Sequence, residues 1–287
     1  MTDTAMTTHE IAVNGITLHY VTWGQFTRPE RAVLLIHGLT ASSRSWVNLG
    51  PVLAARGWYA IAPDLRGRGL SEKPPHGYGI PYHVNDLLAM GDLLGLPVLN
   101  LVGHSLGALI SLFLAAIHPQ RAGKIVLVDA GGKLPDDVLQ AIAVSLARLD
   151  TVYPSLAAYL EAMRQAPMYQ WSPFWEQYFR YDAEVRADGT VTSRVRKAAI
   201  DEENAVNFAT RTEALPNAVR APALILRAPL GTLAPDRGFV LPAEEAERLR
   251  AVIPGSRLVE IPDTNHYTII LSDVFTHEVI AFLEETP

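Results

Sequence analysis

The sequence predicts an α/β chain: a mostly parallel central sheet of about eight strands with helices on both faces, carrying a helical cap as an insertion. Three observations predict it. Continuous Val, Ile and Leu runs alternate with segments of helical pattern, as they do where strands are buried on both faces of a parallel sheet. That alternation is broken once, over residues 133–216, where helical pattern and loops continue without a buried strand. Finally, "LNLVGHSLGALISLFLAAIHP", from Leu99, ends one apolar run at Gly103, sets a serine between glycines, and restarts as a Leu- and Ala-rich run long enough for a helix.

The elements follow in order. "HEIAVNGITLHYVTWG" (His9 to Gly24) alternates around Asn14-Gly15, whose tolerance of positive φ makes it a strong hairpin signal. "AVLLIHG" (Ala32 to Gly38) is a buried strand that ends in a glycine turn, and "SRSWVNLGPVLAARG" is helical as far as Gly57. "YAIAPD" is a strand, "LRGRGLSEKPPHGYG" a Gly- and Pro-rich loop, and "HVNDLLAMGDLLGL" a helix. "VLNLVG" is a strand and Leu106 to His118 a buried helix. "KIVLVDAGG", "ALILRAP" and "RLVEIPD" are further strands, the last two separated by the helix "PAEEAERLRAVIPG", and "DVFTHEVIAFLEE" closes the chain as a helix. Residues 1–132 and 217–287 thus form the core domain, and 133–216 the cap.

Composition narrows the function. The chain has 287 residues, 49% apolar and 19% charged, enough for a large core and too apolar for disorder. A net charge of −6 without a basic block gives nucleic acid no electrostatic footing, and no apolar run approaches a membrane span. With no cysteine, disulfides, thiol catalysis and cysteine-ligated metal are excluded. His76 and His83 flank a loop, but their spacing fits no metal-binding pair, so neither metal nor cofactor is expected. "MTDTAMTTHE" lacks a basic n-region and an apolar h-region, and no N-x-S/T sequon occurs, so the expected compartment is the cytoplasm.

Ser105 lies in Gly103-His104-Ser105-Leu106-Gly107, a G-x-S-x-G turn between strand and helix. A serine hydroxyl needs a base to become a nucleophile. If the chain order is nucleophile, acid, histidine, only His118, His266 and His277 qualify. His118 falls at the far end of the helix that follows Ser105, and His277 inside the terminal helix. His266 follows the strand "RLVEIPD", on the edge where open parallel sheets build their sites, and is the predicted base. Two acids compete to orient it. Asp236 follows "ALILR", the strand before the helix–strand unit that delivers His266, which ranks it ahead of Asp129 at the end of "KIVLVD". Asp263 is too close in sequence to His266 to orient its ring and is read as loop support.

His37-Gly38, the loop "PDLRGRGLSEKP", the Gly103 to Gly107 turn and the late His266 together resemble the α/β-hydrolase fold superfamily, in its serine esterase and lactonase branch. The resemblance runs over nearly the whole chain, with residues 133–216 in the place of the variable cap. One departure is that relatives carry a short Gly-x-x-Asp after the strand "ALILR", where this chain has the longer "RAPLGTLAPD" and a displaced Asp236. The resemblance implies an oxyanion hole made by the backbone N–H groups of Leu106 and Leu39. It also implies that His37 and His104 are structural.

Serine at the turn argues against haloalkane dehalogenase and epoxide hydrolase chemistry, because relatives that perform it place aspartate there. Carbon–carbon bond hydrolases of the superfamily carry Asn before the serine and Trp after the late histidine, where this chain has His104 and Tyr267. The expected activity is therefore hydrolysis of small, largely apolar carboxylic esters through an acyl-enzyme. Acylated homoserine lactones are the alternative substrate, and carbon–carbon bond hydrolysis or a non-catalytic small-molecule receptor are the less favoured alternatives. Residues 153–181 hold nine of the chain's 23 aromatic residues. They read equally as the core of a small cap and as the wall of a hydrophobic pocket. Tyr169, Trp171, Phe174 and Trp175, with Tyr267 beside the base, are the candidate substrate contacts.

Overall fold

The computed structural model describes residues 4–135, 137–138, 142, 146–166, 170–210 and 212–285, with the side chains of 147, 212 and 213 set aside. Its strands are β1 (Thr7–Val13), β2 (Ile16–Trp23), β3 (Ala32–Ile36), β4 (Tyr59–Pro63), β5 (Leu99–His104), β6 (Ala122–Val128), β7 (Ala183–Val185), β8 (Val191–Ser193), β9 (Ala223–Arg227) and β10 (Arg257–Glu260). Eight of them form one sheet in the order β1-β2-β4-β3-β5-β6-β9-β10, while β7 and β8 pair as a separate ribbon. Within the large sheet only β2 runs against its neighbours.

Period-2 alternation divides the strand residues between two cores. Leu34, Ile36, Leu101, Ile125, Leu127 and Ile225 face one side, packed by α2 (Ile80–Leu93), α3 (Leu106–Ile117) and α7 (Ala243–Val252). Val33, Leu35, Val102, Val126, Val128, Leu224 and Leu226 face the other, packed by α1 (Leu49–Ala55) and α8 (Asp273–Glu284). Both faces are dry, which is why these strands read as unbroken apolar runs. Among the described residues no helix is long and apolar enough to cross a membrane.

Between β6 and β9 the chain leaves the sheet and builds α4 (Leu156–Arg164), α5 (Pro173–Asp182), the β7–β8 ribbon and α6 (Lys197–Thr210). These elements have their own apolar core, centred on Tyr159, Trp175, Phe179 and Val191. Buried polar contacts tie them to the sheet domain. Tyr181 of α5 donates to Asp64 at 2.5 Å, and Asp64 also accepts from His19 Nδ1 at 2.8 Å and from the Ser43 N–H at 2.7 Å. Burial alone would raise the Asp64 pKa, but these donors outweigh it and hold the carboxyl at about 2.

Candidate active site

Strand register assembles the site. Gly103 of β5 lies beside Ile36 of β3 and Leu127 of β6, so the turns after the three strands open at one level of the sheet. Ser105 occupies the turn after β5 with φ 57° and ψ −120°, a strained conformation for a residue bearing a Cβ. The flanking glycines make that turn feasible. A Cβ on Gly103 would run into the Gly107 carbonyl, and one on Gly107 into the Ile36 carbonyl. Ser105 is half-buried at the N-terminus of α3, and its N–H donates to the Val128 carbonyl at 3.0 Å.

Asp129 follows Val128 directly, and it too has positive φ, at 50°. Its Oδ1 accepts the Ala228 N–H at 2.9 Å and its Oδ2 accepts from His266 Nδ1 at 2.8 Å. Because an ionised carboxylate only accepts, the proton sits on Nδ1 and Nε2 is left with a lone pair. No hydrogen bond joins Ser105 Oγ to this ring among the described residues. In unliganded active sites such contacts are commonly long and tighten only with substrate. Asp129 and His266 are both buried, so the pair is shielded from competing water.

This corrects the expectation that Asp236 orients His266. The segment after β9 hydrogen-bonds to itself: Gly231 N–H to Pro235 O, Thr232 to Gly238 O, and Leu233 and Ala234 to Arg237 O. The resulting tight turn holds Asp236 exposed near its tip. Leu230 reaches the histidine loop, its N–H donating to Thr264 O at 3.0 Å. Asp129 takes the place because β6 is the immediate neighbour of the serine strand.

Two further residues seat His266. Asn265 Oδ1 accepts the N–H groups of Tyr267 and Thr268 at 2.9 and 3.0 Å, closing a turn around His266. His104 Nε2 donates to the His266 carbonyl at 2.8 Å, and the two rings lie 4.6 Å apart. Burial, reinforced by the facing His266, lowers the His104 pKa far below the histidine range and keeps it neutral. This support of the His266 loop carries no signal in the sequence.

Opposite the serine, the chain leaves β3 through His37, Gly38 and Leu39. His37 Nδ1 donates to Gly38 O at 2.8 Å while its Nε2 accepts the Leu65 N–H at 3.0 Å. Burial, the largest influence on that ring, lowers its pKa to about 4, so it is neutral. In a trans peptide the C=O and N–H point opposite ways, so fixing Gly38 O also aims the Leu39 N–H. Neither this N–H nor that of Leu106 has an acceptor among the described residues. Leu106 begins α3, so its N–H sits at the positive end of the helix dipole.

The aromatic candidates separate. Trp175 is only 3% exposed and packs among Phe174, Tyr178 and Phe179 in the apolar core that α4, α5 and the β7–β8 ribbon share. Phe174 lines an open groove with Trp23, Arg44 and Tyr178, a groove that Ser105, Asp129 and His266 do not line. Trp171 stacks on Phe179, and the Arg164 guanidinium lies over the Trp171 ring 5.1 Å from its centroid. Tyr267 touches His266 edge-on at 5.4 Å and packs against the cap core. Tyr169 lies outside the described residues.

Comparison with known proteins places the chain in a family. The soluble epoxide hydrolase of Corynebacterium sp. strain C12 is 32% identical over 126 residues, 44% of this chain and 42% of that protein. RutD of Caulobacter segnis, provisionally named a carbamate hydrolase, is 29% identical over 261 residues, 88% of this chain and 91% of that protein. The matched segment spans only 39% of the length of the mycobacterial relatives that head the comparison, which are themselves uncharacterized. A solved structure of E-2-(acetamidomethylene)succinate hydrolase superposes with a TM-score of 0.84 at 21% identity, covering 98% of this chain and 100% of that one. With the family model for the alpha/beta hydrolase fold matching residues 31–273, the chain belongs to the alpha/beta hydrolase family.

Proposed function

We propose that this hydrolase cleaves carboxylic esters of small, largely apolar acyl groups by way of an acyl-serine on Ser105. The observation that carries the reading is the buried His266 Nδ1–Asp129 hydrogen bond of 2.8 Å beside a serine on a strained strand–helix turn. Ser105 Oγ attacks the ester carbonyl as His266 Nε2 takes its proton, and the imidazolium is stabilised by Asp129. The developing oxyanion is met by the N–H groups of Leu39 and Leu106, which reach full strength only as the charge appears. Collapse expels the alcohol, protonated by His266. A water activated by the same ring then releases the acid and restores the serine.

A serine hydroxyl at this position supports ester rather than epoxide cleavage, because opening an epoxide through a covalent alkyl ester requires a carboxylate nucleophile. A lactone is the same reaction with the alcohol tethered to the acyl group, so acyl-homoserine lactones belong in the same panel. The test is turnover of p-nitrophenyl esters from C2 to C10 beside these lactones, for the wild type and Ser105→Ala. Ester turnover is expected, with kcat lowered by about 10⁵–10⁶ in the variant. A folded wild type that binds but never turns over any member would instead indicate a receptor.

A further inference from the structure

Arg68 is wholly shielded from water, on the loop between β4 and α2. Burying a guanidinium is costly unless every donor is met, so its partners indicate what it does. Nη1 donates to the Arg66 carbonyl at 2.9 Å, and Nη2 to Glu203 Oε2 on helix α6 of the cap. Nε donates to the carbonyl of Leu39 at 3.0 Å. Glu203 is also fully buried, and its other oxygen is held by His83 Nε2 of α2 at 3.0 Å. The carboxylate is therefore fixed from two sides, and it fixes the guanidinium in turn.

Leu39 is thus restrained at three places. The carbonyl before its N–H is gripped by His37 Nδ1 and by the Ala41 N–H at 3.2 Å. Its own carbonyl is gripped by Arg68. Its side chain packs against a second apolar cluster of the cap, Leu146, Leu149, Val195 and Ile200. Two of these restraints originate in the cap or depend on it.

We propose that Arg68 is a positioning residue for the oxyanion hole, aiming the Leu39 peptide while Glu203 of α6 locks Arg68. This rests on the role given to Leu39 in the proposed reaction and adds a device that couples cap to chemistry. Other contacts of α6 provide an internal control. Asn207 Oδ1 accepts the Ile80 N–H at 2.8 Å, and so anchors the helix without touching Arg68 or Leu39.

The experiment uses the full chain and three variants, Glu203→Gln, Arg68→Lys and Asn207→Ala. For each, kcat and KM on p-nitrophenyl butyrate, the rate of Ser105 labelling by a p-nitrophenyl alkylphosphonate, and Tm are measured. The phosphonate oxygen enters the oxyanion hole, so its labelling rate reports donor alignment separately from stability. Removing a whole donor costs about 10²–10³ in kcat, so a misaimed one is expected to lower kcat and labelling about 10- to 100-fold in Glu203→Gln and Arg68→Lys. KM should stay within about threefold, because the ground-state carbonyl leans little on those donors. Asn207→Ala should lower Tm yet keep both rates within about threefold of wild type, since it removes a helix anchor and no oxyanion contact.

Wild-type rates in both Glu203→Gln and Arg68→Lys would overturn the inference, as would equal slowing in Asn207→Ala. Should Arg68→Lys fail to fold, the near-isosteric Glu203→Gln decides alone. A wild type that neither turns over the ester nor labels at Ser105 refutes the proposed reaction itself. Unaffected variants of an active wild type refute only the positioning role.

Discussion

Asp129→Asn separates the two acids and has a magnitude that can be worked from contacts. The native carboxylate accepts twice, from Ala228 N–H at 2.9 Å and from His266 Nδ1 at 2.8 Å. An asparagine has one accepting oxygen, so it cannot serve both. If the oxygen stays on Ala228, the amide NH₂ faces Nδ1, drives the proton to Nε2 and leaves the ring unable to take the serine proton. If the amide flips, the useful tautomer survives, but the buried Ala228 N–H meets another donor at a cost of about 1–3 kcal/mol. The imidazolium formed during reaction also loses its counter-charge in either orientation. A fall in kcat of about 10⁴ is expected, the scale seen when a triad aspartate becomes asparagine. Asp236→Asn, on an exposed turn, should stay within about twofold, as surface changes away from such features usually do. Initial rates on p-nitrophenyl butyrate, with circular dichroism as a folding check, decide it. Asp129→Asn within tenfold of wild type, or a larger loss in Asp236→Asn, would refute the assignment.

Two further outcomes follow from burial. Trp175→Ala opens the aromatic core of the cap and should cost about 3–5 kcal/mol, seen as a lower Tm with the ester chain-length ranking unchanged; a changed ranking would return Trp175 to the pocket wall. Stability should fall with acid in two stages, because four buried groups have lowered pKa values: His104 far below its ordinary 6.5, His37 about 4 against 6.5, Asp64 about 2 against 3.8, and Glu203 about 2 against 4.5. A lowered pKa contributes stability that is complete above the unfolded value and is lost as pH falls through the folded one. Tm should therefore begin to drop below pH 6.5 as unfolded histidines take up protons, then drop again between pH 4.5 and 2 as the carboxylates do. A Tm unchanged from pH 7 to 5 would contradict the histidine contribution.

What the sequence made legible depended on how local each signal is. The inner strands β3, β4, β5, β6 and β9 carry buried apolar runs, so each one could be read without knowing its partners. Ser105 was legible because a strained turn imposes glycines at Gly103 and Gly107, within two residues of it. His266 was legible from chain order and strand position. The acid was not, because the choice between Asp129 and Asp236 depends on self-bonding of residues 231–238, a loop conformation with no periodicity to betray it. The cap tryptophans carry the same composition whether they wall a pocket or fill a core, and only burial distinguishes the two for Trp175. Arg68 lies in a Gly-rich loop where an arginine reads as solvated. Its partner is Glu203, 135 positions away.

The central claim is that Ser105 is the nucleophile, and the most direct measurement is the mass of the protein after reaction with a p-nitrophenyl alkylphosphonate, followed by peptide mapping. One phosphonyl group is expected per chain, on the peptide holding Ser105. It should be absent in Ser105→Ala and slowed by orders of magnitude in a folded His266→Ala. Stoichiometric labelling of another residue, or labelling of Ser105 at an unchanged rate without His266, would contradict the account.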